Sequence, residues 1–182
     1  MTYPVEWETA FTAKNGKLFR FRPKKSSDTE MLWAMFSTLS ETSISNLIPP
    51  YTRERIESWT SNIDFNDVLT IVAVAEETGV QKIVGTASLK FNPLEVFKHK
   101  AELAITVHDD YQNLGVGTGL LSHLLKIARK KKLRKVVLAT NTENARAIHV
   151  YQKAGFKIEG ILRKDICLNG KYLDEYRMAL FL

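Results

Sequence analysis

One cysteine among 182 residues, Cys167, has no partner for an internal disulfide, and a lone thiol cannot build a zinc or iron–sulfur site. The four histidines, His99, His108, His123 and His149, are no better placed for metal: none has a second histidine or cysteine three or four residues on. Long hydrophobic runs are missing too. The longest, Leu69–Ala75, falls far short of the ~20 apolar residues that cross a bilayer, and the opening MTYPVEWETA has neither the basic start nor the apolar centre of a secretory signal. No internal repeat or low-complexity segment is present, which excludes a solenoid. The expectation is one globular domain over residues 1–182, cytoplasmic, with no membrane contact and no metal.

Acidic residues are outnumbered, 20 against 26 lysines and arginines, and the formal charge of +6 favours anionic partners. Part of the excess is local: KIARKKKLRK (Lys126–Lys135) holds seven cations in ten residues. Three readings stay open for it, namely a solvated helix end complementing the dipole, a seat for a cofactor phosphate, or a nucleic-acid surface. No aromatic residue interrupts the run for bases to stack on, so nucleic acid is not the expected partner.

What is present reads as alternating strands and helices. VEWETAFTAKNGKLFRFRP predicts a hairpin about a type I′ turn at Asn15-Gly16, making residues 1–16 an N-terminal extension that adds a strand. Ser27–Glu30 has capping-box spacing ahead of a first helix, MLWAMFSTLS. After the Ile48–Pro50 breaker, Thr52 can cap a second, RERIESWTSN. Two β-rich runs from Val68 to Phe91 form another hairpin, and Ala101–Val107 is a further strand. Leu120, Leu121, Leu124, Leu125, Ile127 and Ala128 then trace one face of a helix over 118–129. Lys135–Thr140 is a strand, Glu143–Gly155 a helix closed by glycine, and two strands end the chain. The fold class is α/β (α+β): a mixed, mostly antiparallel sheet with helices on both faces and a strand-loop-helix unit inside it.

That unit carries the chemistry. YQNLGVGTGLL places Gly115, Gly117 and Gly119 at the mouth of the helix, where glycine costs up to ~1 kcal/mol relative to alanine. The first amides of a helix lack intrahelical partners and, with the positive dipole end, make an anion site that a diphosphate reaches most closely where no Cβ intervenes. A P-loop would close on Gly-Lys-Ser/Thr, and this loop reads Gly119-Leu120-Leu121. A dinucleotide fingerprint would be spaced G-x-G-x-x-G with an acid after the next strand; here the spacing is G-x-G-x-G and the strand ends Ala139-Thr140.

VHDDYQNLGVGTGLL resembles the acetyl-CoA loop of the GNAT superfamily of N-acetyltransferases, through Gln112, Gly115 and Gly117 after a valine-ended strand. Downstream, NARAIHVYQKAGF is similar to that family's second motif, through Asn144, Ala147, Tyr151, Gly155 and Phe156. The resemblance is specific over 101–160 and topological from residue 17. The tail EGILRKDICLNGKYLDEYRMAL is similar to the terminal hairpin of ribosomal-protein and amino-acid N-acetyltransferases, and NGKLFRFRPKKSSD to the opening of protein lysine acetyltransferases.

The resemblance implies acetyl transfer from acetyl-CoA to a primary amine, of a protein or peptide, by direct attack in a ternary complex. A small amine such as an amino acid or polyamine, and a non-catalytic acyl-CoA-binding or nucleic-acid-binding module, are the alternatives. It implies that backbone groups of Ile105 and Val107 hold the pantetheine arm. The amides of Gln112, Asn113, Leu114, Gly115, Val116, Gly117 and Thr118 hold the pyrophosphate, Asn144 contacts the cofactor, and Tyr151 protonates the leaving thiolate. Cys167 lies outside both motifs and has no evident activating base, so it is not expected to be a nucleophile. Alternation puts Glu102 on one strand face with Ala104, Thr106 and His108, where it is the candidate base; the family's other base position reads Ala139 here. A lysine amine is neutral in roughly one molecule per 2,500 at pH 7 and an α-amine in about one in seven, so an α-amine needs the weaker base. Oligomeric state is not legible, and a homodimer is left open.

Overall fold

The computed structural model describes residues 2–47 and 49–182; Met1 and Ile48, the latter opening the expected breaker, lie outside the described residues. The strands are β1 (Thr9–Thr12), β2 (Leu18–Pro23), β3 (Val68–Glu77), β4 (Val80–Phe91), β5 (Lys100–Val107), β6 (Lys135–Asn141), β7 (Lys157–Leu168) and β8 (Lys171–Phe181). The helices are α1 (Thr29–Ser37), α2 (Glu41–Ser45), α3 (Arg53–Ser61), α4 (Val116–Lys130) and α5 (Ala145–Lys153). All eight strands join one sheet, β1-β2-β3-β4-β5-β6-β8-β7, antiparallel throughout except where β5 meets β6.

Strand alternation divides the apolar residues between two layers. Ile71, Ala73, Leu103, Val136, Leu138 and Met178 face α4 and α5. The leucine stripe of α4 seals this layer, each buried leucine contributing about 2 kcal/mol. Val72, Val74 and Ile83 point the other way, against Leu32, Met35 and Phe36 of α1 and Ile56 of α3. That second cover extends only over the β3–β4 half of its face. The part formed by β5, β6 and β8 leaves Glu102, Ala104 and Arg177 exposed.

Several local expectations change. The first hairpin does not use a type I′ turn, which needs positive φ at two residues. Gly16 N–H bonds to Ala13 O (3.0 Å) about a turn centred on Lys14-Asn15, and only Gly16 is left-handed (φ 82°). The expected Ser27–Glu30 capping box is displaced by two residues: the Asp28 carboxylate accepts the Lys25 N–H (2.7 Å) at a 3-10 turn, Ser26–Asp28, that leads directly into α1. Asp28 is tied down from the sheet by a buried two-pronged pair with Arg22, both contacts 2.7 Å. Helix α2, capped by Ser40 Oγ, is too short to show a period and was not expected. Thr52 does cap α3, and Gly155 (φ 97°) ends α5. Helix α4 begins at Val116 rather than Thr118 and therefore contains two of the three glycines.

Candidate active site

Strands β5 and β6 pair only over Lys100–Glu102 against Lys135–Val137. Beyond that point β5 stays paired to β4 as far as Val107, and β6 stays paired to β8 as far as Asn141. The two strands therefore diverge, leaving a wedge whose inner edges carry main-chain groups with no ladder partner across it. Such edges accept an extended, amide-bearing ligand as a sheet accepts a strand. Ile105 and Val107 lie on this free edge, although the Val107 carbonyl already accepts the side-chain N–H of Gln112 (3.1 Å).

The glycine loop closes the top of the wedge. After a 3-10 turn at Asp109–Tyr111 the chain turns left-handed at Asn113 (φ 62°) and Gly115 (φ 88°), so α4 starts with Gly115 as its cap. The first intrahelical bond runs from Gly119 N to Gly115 O (2.8 Å), leaving the amides of Val116, Gly117 and Thr118 at the positive helix end beside Gln112, Asn113 and Leu114. The three glycines serve three purposes. Gly115 supplies a left-handed conformation, and a side chain at Gly117 would come within 3.4 Å of Val107 Cγ2 on the neighbouring strand. Gly119 does not open toward a phosphate: its missing side chain makes room for Phe11 of the N-terminal hairpin.

Gln112 does more than lend an amide. Its side-chain nitrogen donates to Ser43 Oγ (3.1 Å) and its oxygen accepts from Arg146 Nη1 (2.6 Å), linking α2 to α5 across the loop. Asp109 fastens the same segment to α2, accepting the Ser40 N–H (2.9 Å) and the hydroxyls of Ser40 (2.7 Å) and Ser43 (2.6 Å). Burial raises the Asp109 carboxyl, but these bonds and the charge of His108 outweigh it and hold it at about 2. The Asn144 side chain is occupied in part as the cap of α5, accepting Ala147 N–H (3.2 Å).

Tyr151 is the buried residue of α5, packed beside Phe156 with ring centroids 5.8 Å apart. Its hydroxyl, not sealed from solvent, has no hydrogen-bond partner among the described residues. Burial pushes the phenol up to about 12, so it is protonated at neutral pH and equipped to give a proton.

Glu102 lies on the opposite face of the sheet, as alternation predicts, at the closed end of the wedge. Its side chain is 53% exposed and pairs with Arg177 Nη1 at 3.4 Å. Sequence reading missed a second carboxyl on that face. Glu175 on β8 stands opposite Asn141, at the open end, and is raised above the ordinary glutamate range by burial, then by the hydrogen bond and charge of Asp165. Lys14 was also missed, because nothing in the turn sequence reveals what it packs on. Its N–H bonds to Leu114 O (3.1 Å), and its stem passes 3.7 Å from where a Gly115 side chain would begin. The Lys14 ammonium has no ion-pair partner among the described residues. The basic run Lys126–Lys135 lies at the far end of α4, about 20 Å from the loop.

A cleft of about 430 Å³ separates Glu41, Thr42 and Ser45 of α2 from Leu168 and Asn169 of the terminal hairpin.

A family description, the acetyltransferase (GNAT) family, matches residues 32–156. Spermidine N(1)-acetyltransferase of Escherichia coli is 36% identical over 87 residues, 45% of this chain and 45% of the relative, so the match spans about half the length of that curated relative. Among solved structures, the GNAT domain of S. lividans PAT is similar over 100% of both chains, with a TM-score of 0.79 and 24% identity. Ribosomal-protein-alanine N-acetyltransferase from Brucella melitensis is similar over 89% of this chain and 99% of its own, with a TM-score of 0.73 and 26% identity.

Proposed function

Because the chain belongs to the acetyltransferase (GNAT) family, we propose that it transfers acetyl from acetyl-CoA to a primary amine by direct attack in a ternary complex. The observation that carries this reading is the unpaired edge of β5 beyond Glu102, running into the free amides at the head of α4. An edge of donors and acceptors leading into an anion site fits a ligand that is amide-bearing at one end and diphosphate at the other.

When bound, acetyl-CoA supplies an activated thioester. Amides between Gln112 and Thr118 would hold its pyrophosphate, with Asn144 at the other wall of the wedge and the Ile105–Val107 edge along the pantetheine arm. A main-chain N–H of that edge would bind the carbonyl oxygen as charge builds on it. Tyr151 would give its proton to the departing thiolate. On the far face Glu102 and Glu175 would receive the amine. Glu175, at the open end and with its carboxyl raised, is the better matched to remove a proton, while Glu102 with Arg177 would orient the acceptor.

For the acceptor we favour an amine of a protein or peptide, supported by a solvent-facing cleft between α2 and the terminal hairpin. The second reading, a polyamine, is favoured by Glu102 and Glu175 sharing one face and by the spermidine relative. Incubation with acetyl-CoA and a panel of peptides, amino acids and polyamines tests both. Thiol release with peptides is the expected result, and none with any amine would sink the proposal.

A further inference from the structure

Lys24 follows the last residue of β2 and is only 8% exposed, yet its ammonium, not sealed from solvent, has neither a hydrogen bond nor an ion pair with any described residue. The nearby carboxylate is Asp28, and both its oxygens are committed to Arg22 and to the Lys25 N–H. A charge left in this state opposes folding, and burial accordingly pulls the Lys24 ammonium down to about 8, with Asp28 working in the other direction. Nothing in the core needs a cation here, so the reason for keeping one lies in what the side chain faces.

It faces a cleft of about 520 Å³ between the end of β2, the start of α1 and the end of α3. Lys25, Ser26 and Ser27 line it as well, and the two serine hydroxyls have no partner among the described residues. Ser26 and Ser27 also open the 3-10 turn that runs into the nine residues of α1, so the positive end of that helix points at the same space. Tyr3, Ile63 and Phe65 supply the apolar part of the lining, with the Lys25 ammonium 5.0 Å from the Tyr3 ring centre.

We propose that this cleft is a second ligand site, distinct from the wedge, that takes a small phosphomonoester, its phosphoryl group between Lys24, Lys25, Ser26 and Ser27 and its organic body on the apolar lining of Tyr3, Ile63 and Phe65. Two ammonium groups, two hydroxyls and a helix end suit a dianion with three oxygens better than a planar carboxylate. The volume exceeds that of a phosphate ion several-fold, which leaves room for the body. Lys24 N–H bonds to Thr70 O, and Thr70 is separated from β5 by β4 and paired at a level well below Val107, so a ligand here would leave the wedge free.

Thermal-shift titration of the full chain at constant ionic strength, with coenzyme A saturating, tests this using glycerol 3-phosphate and phenyl phosphate, with acetate as the carboxylate control. Saturable stabilisation by both esters is expected, tighter for phenyl phosphate and weakened at least tenfold in Lys24→Met. The unliganded Lys24→Met protein should be no less stable than the parent, since it loses an unpaired charge, and should keep its response to coenzyme A. Absence of a saturable response in the parent, an equal response in Lys24→Met, or acetate matching the esters would overturn the proposal.

Discussion

Phe11 occupies the space that a side chain at Gly119 would need: a Cβ built there lies 2.5 Å from Phe11 Cε2 and 2.8 Å from two further ring carbons. The ring cannot retreat easily, because it stacks on Phe21 with centroids 4.9 Å apart. Gly119→Ala should therefore cost about 1–3 kcal/mol by overpacking. Adding Phe11→Leu should return part of that loss, read as a coupling energy in a urea double-mutant cycle. Additive losses would show that the hairpin and α4 do not press on each other.

Tyr151→Phe deletes the proton and keeps the ring. It should lower kcat by about 10²- to 10⁴-fold and leave the dissociation constant for coenzyme A unchanged. With the phenol at about 12, the parent enzyme should show no falling limb from this group below about pH 10.

The two carboxyls proposed to receive the amine, Glu102 and Glu175, separate by pH profile. Glu175 is raised by burial and by Asp165, so its basic form appears only above the ordinary glutamate range, and kcat/KM should climb with pH through that region. Glu175→Gln should flatten the climb and lower kcat. Glu102→Gln should mainly raise KM for the amine. The reverse pattern would make Glu102 the base.

The residues proposed to hold the cofactor could be picked out in sequence because they rest on local devices: a glycine that must turn left-handed, a helix stripe, and a tyrosine spaced from Asn144 on the next helix. Its setting was not. Phe11 and Lys14 precede their partners Gly119 and Leu114 by about a hundred residues, and no periodicity links the two segments. Gly119 accordingly read as part of the phosphate cradle when its role is to admit an aromatic ring. Glu175 was hidden for a related reason: its position opposite Asn141 is set by the register of β8, which a list of strands does not specify.

Lys14 holds an unpaired ammonium beside the positive end of α4, an arrangement that an anion in the loop would relieve. Lys14→Gln should raise KM for acetyl-CoA about three- to tenfold with kcat unchanged, and high salt should shrink the difference. An unaltered KM at low salt would remove Lys14 from the site.

Asp109 fastens α2 to the loop with a carboxyl held at about 2 instead of 3.8. The unfolded chain takes up this proton first, so the stabilisation is complete above about pH 4 and disappears as the pH falls toward 2. Asp109→Asn should melt at a lower temperature at pH 7, and the gap from the parent should close on acidification, as followed by circular dichroism.

Only three register pairs join β5 to β6, so the eight strands divide into a five-stranded panel and a three-stranded panel joined along one short seam. Amide hydrogens bordering that seam lie open to deuterium, and a ligand that threads between the panels replaces the missing ladder. A cofactor seated there as proposed would act as a ninth strand in all but covalent chemistry, and slow exchange along Leu103–Val107 would be the signature of a loaded enzyme.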